Sequence, residues 1–231
     1  MTVYNWAFSI LFPPRCALCN APGHDDLDLC RGCRADLPWL HHCCAGCALP
    51  LAADAHETCP RCLRRPPPYA GAVSALRYEA PVDWLITRLK FHRQLSHARV
   101  LGALLAQCLG DAQAPRPDRI LPVPLHPARR AQRGFNQAAE IARVIGHRLD
   151  LRCEGGLAWR SRDTPHQLAL PARERRANVR GAFAAAAAAK GARIAIVDDV
   201  VTTGQTVAEL TRALLRAGAE SVHVWSVARA L

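Results

Sequence analysis

Arg193-Ile-Ala-Ile-Val-Asp198-Asp199-Val-Val-Thr-Thr-Gly-Gln-Thr206 holds three kinds of sequence in fourteen residues. Residues 193–197 form a short apolar run rich in β-branched side chains, suited to a strand buried on both faces of a parallel sheet. Two carboxylates follow, then a polar turn. Beyond the turn, Val207, Leu210, Leu214 and Ala217 share one face of a helix that ends at Gly218, and residues 221–227 supply another strand. Strand, turn, helix and strand make a βαβ unit. The predicted fold is therefore α/β, a doubly wound parallel sheet whose ligands sit beyond the carboxyl ends of its strands.

The turn itself has a defined chemistry. Between a buried strand and a helix N-terminus, several backbone N–H groups lack partners and the macrodipole is positive. Gly204 lets the chain close tightly, and Thr202, Thr203 and Thr206 add hydroxyls, so the turn makes an anion pocket of phosphate size. No lysine follows the glycine and the G-x-G-x-x-G pattern is absent. Nucleoside triphosphate hydrolysis and dinucleotide binding fit poorly. Two adjacent carboxylates repel unless they meet hydroxyls or a divalent cation. A ribose 5-phosphate satisfies both ends, with phosphate in the turn and its 2′ and 3′ hydroxyls on Asp198 and Asp199. The alternative is that Asp199 caps the helix and Asp198 is solvated.

Working outward, residues 72–78 alternate as a strand. Pro81 opens a helix with Val82, Leu85, Ile86 and Leu89 inward, and residues 100–109 form a second apolar helix. Residues 119–123 read as a strand. Residues 136–149 read as a helix, with Asn136 as its cap. The polar stretch 155–180 shows no sustained period and is expected to be a long loop; the alanine run 184–189 is expected to be a connector. Lys90 is either a basic contact or a side chain snorkelling from a helix face.

Nine of the eleven cysteines precede residue 63, and eight of these form Cys-x-x-Cys pairs: Cys16/Cys19, Cys30/Cys33, Cys44/Cys47 and Cys59/Cys62. Two intervening residues let both sulfurs of a pair face one metal, and two pairs close a tetrahedral thiolate site of the kind structural Zn²⁺ takes. Two zinc ions are expected. The gaps of ten, ten and eleven residues leave sequential and cross-braced pairings open, and Cys43 is placed to substitute for Cys44. So small a module depends on its metals to fold. Arg64-Arg65-Pro66-Pro67-Pro68 ends it, which divides the chain into a zinc module at 1–68 and a larger domain at 69–231.

The 231 residues carry 30 Lys+Arg against 19 Asp+Glu, a formal charge of +11. Residues 115–180 hold fourteen Arg and six acids, so +8 of that excess flanks the expected site. Such a concentration suits phosphates, whether of a small ligand or of single-stranded DNA. No apolar run reaches the ~18 residues of a membrane span. Met1 to Pro14 lacks the marks of a secretory signal and reads as a short amphipathic helix. Metal-bound thiols point to the cytoplasm, with a peripheral place at the inner membrane as the alternative.

Residues 194–206 closely resemble the phosphoribosyl pyrophosphate (PRPP) motif of type I phosphoribosyltransferases. The chain as a whole resembles the ComF family, the competence and DNA-utilisation proteins that include GntX. The resemblance is carried by Phe12-Pro-Pro-Arg-Cys16 opening the cysteine module, Leu89-Lys90-Phe91, Arg133-Gly-Phe-Asn-Gln137, and Gln167 with Glu174, Arg175 and Asn178. It implies that Asp198 and Asp199 hold the ribose hydroxyls and that Val201, Thr202, Thr203, Gly204, Gln205 and Thr206 bind the 5-phosphate. Pro122, Val123, Pro124 and Leu125 would take the pyrophosphate, and residues 155–180 would form a mobile arm. Mg²⁺ would accompany PRPP. Arg133, ahead of Arg129, Arg130 and Arg175, would stabilise the departing charge. The same resemblance implies a role in DNA uptake or utilisation beside single-stranded DNA, a competence helicase or uptake machinery, or else transfer of phosphoribosyl to an acceptor. No acceptor pocket is legible, since Phe91, Phe135 and Trp159 read as packing.

Overall fold

The computed structural model describes residues 13–52, 57–162 and 180–231. The expected N-terminal helix, and Gln167, Glu174, Arg175 and Asn178, lie outside the described residues. In chain order the elements are α1 (Arg31–Ala35), α2 (Pro60–Arg64), β1 (Gly71–Arg77), α3 (Val82–His92), α4 (Ser96–Asp111), β2 (Arg119–Pro122), α5 (Pro127–Arg133), α6 (Gln137–Leu149), β3 (Ala158–Arg160), β4 (Phe183–Ala185), β5 (Arg193–Val201), α7 (Gln205–Arg216) and β6 (Ser221–Arg229), with 3₁₀ turns at Gly155–Leu157 and Ala187–Ala189.

Four strands pair in the order β1-β6-β5-β2, every pair parallel. Ile194, Ile196 and Val201 of β5 face a layer built on Val207, Leu210 and Leu214 of α7. Ala195 and Val197 face the opposite layer, where Leu85, Leu89, Leu104 and Ile141 arrive from α3, α4 and α6. Two-sided burial explains why β5 reads as a continuous apolar run rather than an alternating one. In the second layer α4 and α6 approach closely at Gly102, where a Cβ would lie 2.7 Å from Val144 Cβ.

Both sheet edges are covered, which removes the unpaired strand edges that invite aggregation. Along β1, the Leu40 N–H donates to Ala75 and the Arg77 N–H to Pro38, while the Ala72 N–H donates to Ala45. The cysteine module therefore seals one edge. Along β2, the Ile120 N–H donates to Arg152 and the Glu154 N–H to Ile120, sealing the other.

Two segments depart from the sequence reading. The stretch expected to be loop from residue 155 starts with a 3₁₀ turn and strand β3, which pairs antiparallel with β4, a strand that runs from Phe183 into the alanine run expected to be a connector. Leu157, Ala158 and Phe183 are buried against the α7 layer. Burial holds these three-residue strands, which are too short to show a period. The second departure is that β5 does not stop at Val197. It continues through both acids to Val201, in register with Ser226, Ala228 and Arg229 of β6.

Candidate phosphate pocket and metal centres

Along that extension successive side chains leave the strand in different directions, and the two carboxylates take different partners while staying in hydrogen-bond contact with each other. Asp198 faces a cavity of about 340 Å³ lined by Tyr78, Lys90, Val200 and Val201 and by Thr202 through Val207. Asp199 does not line that cavity and is 3% exposed. Its Oδ2 is in ion-pair contact with Lys90 Nζ, and its Oδ1 accepts from Gln137 Nε2 at 3.2 Å. Gln137 Oε1 in turn accepts from Arg133 Nη1 at 2.6 Å, and that guanidinium lies over the Phe91 ring at 5.6 Å from its centroid. Neither acid caps α7, whose cap is Gly204.

The environment splits the acids electrostatically. Burial, reinforced by the neighbouring Asp199 charge, raises Asp198 well above the usual carboxylate range. Burial acts on Asp199 in the same direction, but the Lys90 ammonium and Gln137 outweigh it and hold Asp199 below that range. Lys90 gains from the same contact: burial would lower it, and the carboxylates raise it. One acid is thus a committed anion inside a polar cluster. The other, on the cavity wall, is biased toward its protonated form.

At the turn, Gly204 takes φ 75° in the left-handed region that favours glycine. The Gln205 N–H donates to Thr203 Oγ1 at 3.4 Å and the Ala208 N–H to the Gly204 carbonyl at 2.9 Å. The turn's carbonyls are held from behind. Arg61 Nη2 donates to Thr203 at 2.9 Å, and Arg229 Nη1 donates to Val201 at 3.0 Å and to Thr202.

Val201 to Thr206 and Asp198 thus share one cavity. Pro122, Val123 and Pro124 stand at the same end of the sheet, with the Val123 N–H donating to Val197, but they do not line that cavity. Arg133 reaches the acids only through Gln137. It lies on α5, a seven-residue helix carrying Arg129 and Arg130 that the sequence reading did not identify. Asn136 caps α6, accepting from the Ala138 N–H and donating to the Val123 carbonyl, each at 3.0 Å. Gln137, which the Arg133–Gln137 segment brought forward, bridges Arg133 and Asp199, whereas the inward turn of Asp199 and the parts played by Tyr78, Arg61 and Arg229 had no signal in the sequence. Lys90 carried a signal, since it is one of two lysines in a chain otherwise using arginine.

The cysteines resolve into two clusters, Cys16, Cys19, Cys30 and Cys33, and Cys44, Cys47, Cys59 and Cys62. Within each, the four sulfurs lie within 4.8 Å of one another. The pairing is sequential, and Cys43 stays outside, its backbone bridging Pro50. Four thiols so close resist ionising together. Burial pushes Cys16 and Cys44 up, but backbone amides donating to their sulfurs prevail and leave them at about 6 and about 7, while burial and neighbouring sulfurs raise Cys33 and Cys62. A divalent cation accepting four thiolates relieves that conflict, and the donor set fits structural Zn²⁺ in each cluster. Among the described residues, no other group of three or more His, Cys, Asp or Glu is arranged to hold a metal. No described helix is long and apolar enough to cross a membrane.

Comparison with known proteins finds two family models along the chain. Residues 7–63 match the model of the double zinc ribbon domain and residues 119–230 that of the phosphoribosyl transferase domain. The DNA utilization protein YhgH of Escherichia coli O6:H1 is 38% identical over 226 residues, 95% of this chain and 98% of the relative. Competence protein F of Haemophilus influenzae is 34% identical over 227 residues, 94% and 97% of the two chains. Among solved structures, the glutamine PRPP amidotransferase of B. subtilis complexed with ADP and GMP aligns with a TM-score of 0.38 and 25% identity, covering 55% of this chain and 25% of that one. With near-complete overlap at this identity, and a phosphoribosyltransferase-type domain set behind a double zinc ribbon, the chain belongs to the ComF family.

Proposed function

We propose that this protein binds PRPP or another 5-phosphorylated ribose and acts in DNA uptake or utilisation, handling single-stranded DNA beside the uptake machinery. One observation carries the ligand reading: Asp198 and the Thr202–Thr206 turn line the same recess. The 5-phosphate takes amides of the turn that leads into α7, and the ribose hydroxyls donate to Asp198. Asp199, already paired, acts at one remove by fixing Lys90 at the cavity wall. Mg²⁺ fits as a companion of the pyrophosphate, because carboxylates plus substrate phosphates are its usual ligands and Asp198 is within the cavity. When bound it would screen the pyrophosphate charge. The DNA role rests on the relatives named for DNA utilization and competence, and on the arginine-rich segment that carries α5.

Transfer to an acceptor is the second reading, and the Arg133–Gln137–Asp199–Lys90 chain favours it. Breaking the C1–oxygen bond to pyrophosphate while a new bond to C1 forms develops charge that a preorganised cationic cluster stabilises. Arg175 would join from the arm. Calorimetry with PRPP, with and without Mg²⁺, tests the ligand reading: saturable binding that Asp198→Asn weakens at least tenfold supports it, and equal affinity in both proteins removes it. Pyrophosphate release on adding nucleobases selects the second reading. Single-stranded DNA binding that weakens with salt and falls when Arg129, Arg130 and Arg133 are replaced together selects the first.

A further inference from the structure

The described residues contain a second cavity, of about 260 Å³, behind the phosphate turn. It lies between α2 of the second ribbon and α7, and its wall includes Cys47, Cys62, Arg61, Arg229, Thr203 and Gly204. Thr203, Gly204 and Gln205 line both cavities, so the turn is the partition between them. On the ribbon side, Arg61 sits between the ligands Cys59 and Cys62 and donates to the Thr203 carbonyl. Arg229, 2% exposed, donates through Nε to the Cys47 carbonyl at 3.0 Å and through Nη1 to the carbonyls of Val201, Thr202 and Ala230. A [Zn(Cys)₄] centre carries a net double negative charge, which makes it a natural counter-ion for two guanidinium groups held beside it.

We propose that the second zinc ribbon is a working part of the phosphate site, with Arg61 and Arg229 as positioning residues that aim the turn's amides. The inference rests on the turn being the phosphate site. In a planar trans peptide the carbonyl of one residue and the N–H of the next point in opposite directions. Holding the carbonyls of Val201, Thr202 and Thr203 toward the ribbon therefore turns the N–H groups of Thr202, Thr203 and Gly204 the other way, toward the phosphate cavity. Among the described residues, the first ribbon makes no hydrogen bond to the turn. Its polar contacts go to α4, where Arg34 donates to Gln107 and Arg99 donates to the Asp26 carbonyl at 2.9 Å, and its Cys16, Leu27 and Leu29 join the core beneath. The two metals have different duties: one supports the core, the other sets the anion-binding turn.

The test is hydrogen exchange of residues 201–206 in the zinc-loaded full chain, together with ribose 5-phosphate affinity. Arg61 is exposed, so Arg61→Ala spares the core. The expected result is exchange about fivefold faster confined to the turn, with affinity lower by a similar factor and zinc content unchanged. Arg61→Lys restores part of both, and Arg34→Ala on the first ribbon changes neither. Unchanged exchange in Arg61→Ala, or equal acceleration in Arg34→Ala, overturns the coupling. A wild-type protein that binds no ribose 5-phosphate while Arg61→Ala still loosens the turn would overturn the phosphate reading and support the coupling. Normal ligand binding with no effect of Arg61→Ala would do the reverse.

Discussion

Replacing Lys90 by Met leaves Asp199 buried without its cation, with hydrogen bonds from Gln137 and Asp198. The carboxylate is 4% exposed at its side chain and the ammonium 22%. Breaking a fully buried pair by removing one partner costs 3–5 kcal/mol. Lys90 keeps some solvent and Gln137 stays, so the low end applies, about 3 kcal/mol at pH 7.5, or roughly a hundredfold in the folded-to-unfolded ratio. The sign with pH is distinctive. In the wild type Asp199 is depressed, so its stabilisation is present above the unfolded carboxylate value and is lost as pH falls through the folded one. In the variant, burial without the ammonium raises Asp199, and the folded protein binds a proton that the unfolded chain does not. The deficit therefore narrows as pH falls, by up to about 1.4 kcal/mol per pH unit. Urea unfolding at pH 7.5 and 5.5 measures it, and Asp199→Asn added to Lys90→Met should recover most of the loss at pH 7.5. A cost under about 0.5 kcal/mol, or the same cost at both pH values, would refute the pairing and its energetics.

Elemental analysis of the purified chain should find two zinc ions, and chelation should unfold the ribbons; a metal-free protein with intact ribbon structure would contradict the thiolate assignment. Gly102→Ala drives a methyl into Val144 and should cost about 1–3 kcal/mol in chemical denaturation, whereas Gly110→Ala, which meets nothing within 4 Å, should cost nothing or stabilise slightly. Ribose hydroxyls donating to Asp198 favour its ionised form, so ligand binding should release a proton and affinity should rise with pH through the raised Asp198 titration. Calorimetry in buffers of different ionisation heat, above the phosphate's own second pKa of about 6, would show the release. Asp198→Asn should remove it, and proton uptake would contradict the assignment.

The parts of this molecule with repeated signals could be read from the chain. Apolar runs at β5 and β6, helical periods at α3, α4, α6 and α7, and four Cys-x-x-Cys pairs each repeat a local rule several times over. Short elements carry too few repeats. Strands β3 and β4 have three residues each and are held by Leu157 and Phe183 against a helix distant in sequence. The site divides the same way. The threonine-rich turn and acid pair were evident as anion and hydroxyl chemistry. Which acid faces the cavity depends on β5 running four residues past its apolar core, and that follows from pairing with β6. The contacts of Lys90 and Arg229 with the site span more than a hundred and 27–28 positions, and no local pattern encodes them.

The most direct measurement is a crystal structure of the zinc-loaded protein grown with PRPP and Mg²⁺. The 5-phosphate should lie within hydrogen-bond distance of the amides of residues 203–206, with a ribose hydroxyl on Asp198 and Asp199 still turned toward Lys90. A phosphate bound elsewhere, or a recess between Asp198 and Thr206 that stays empty at saturating ligand, would contradict the assignment.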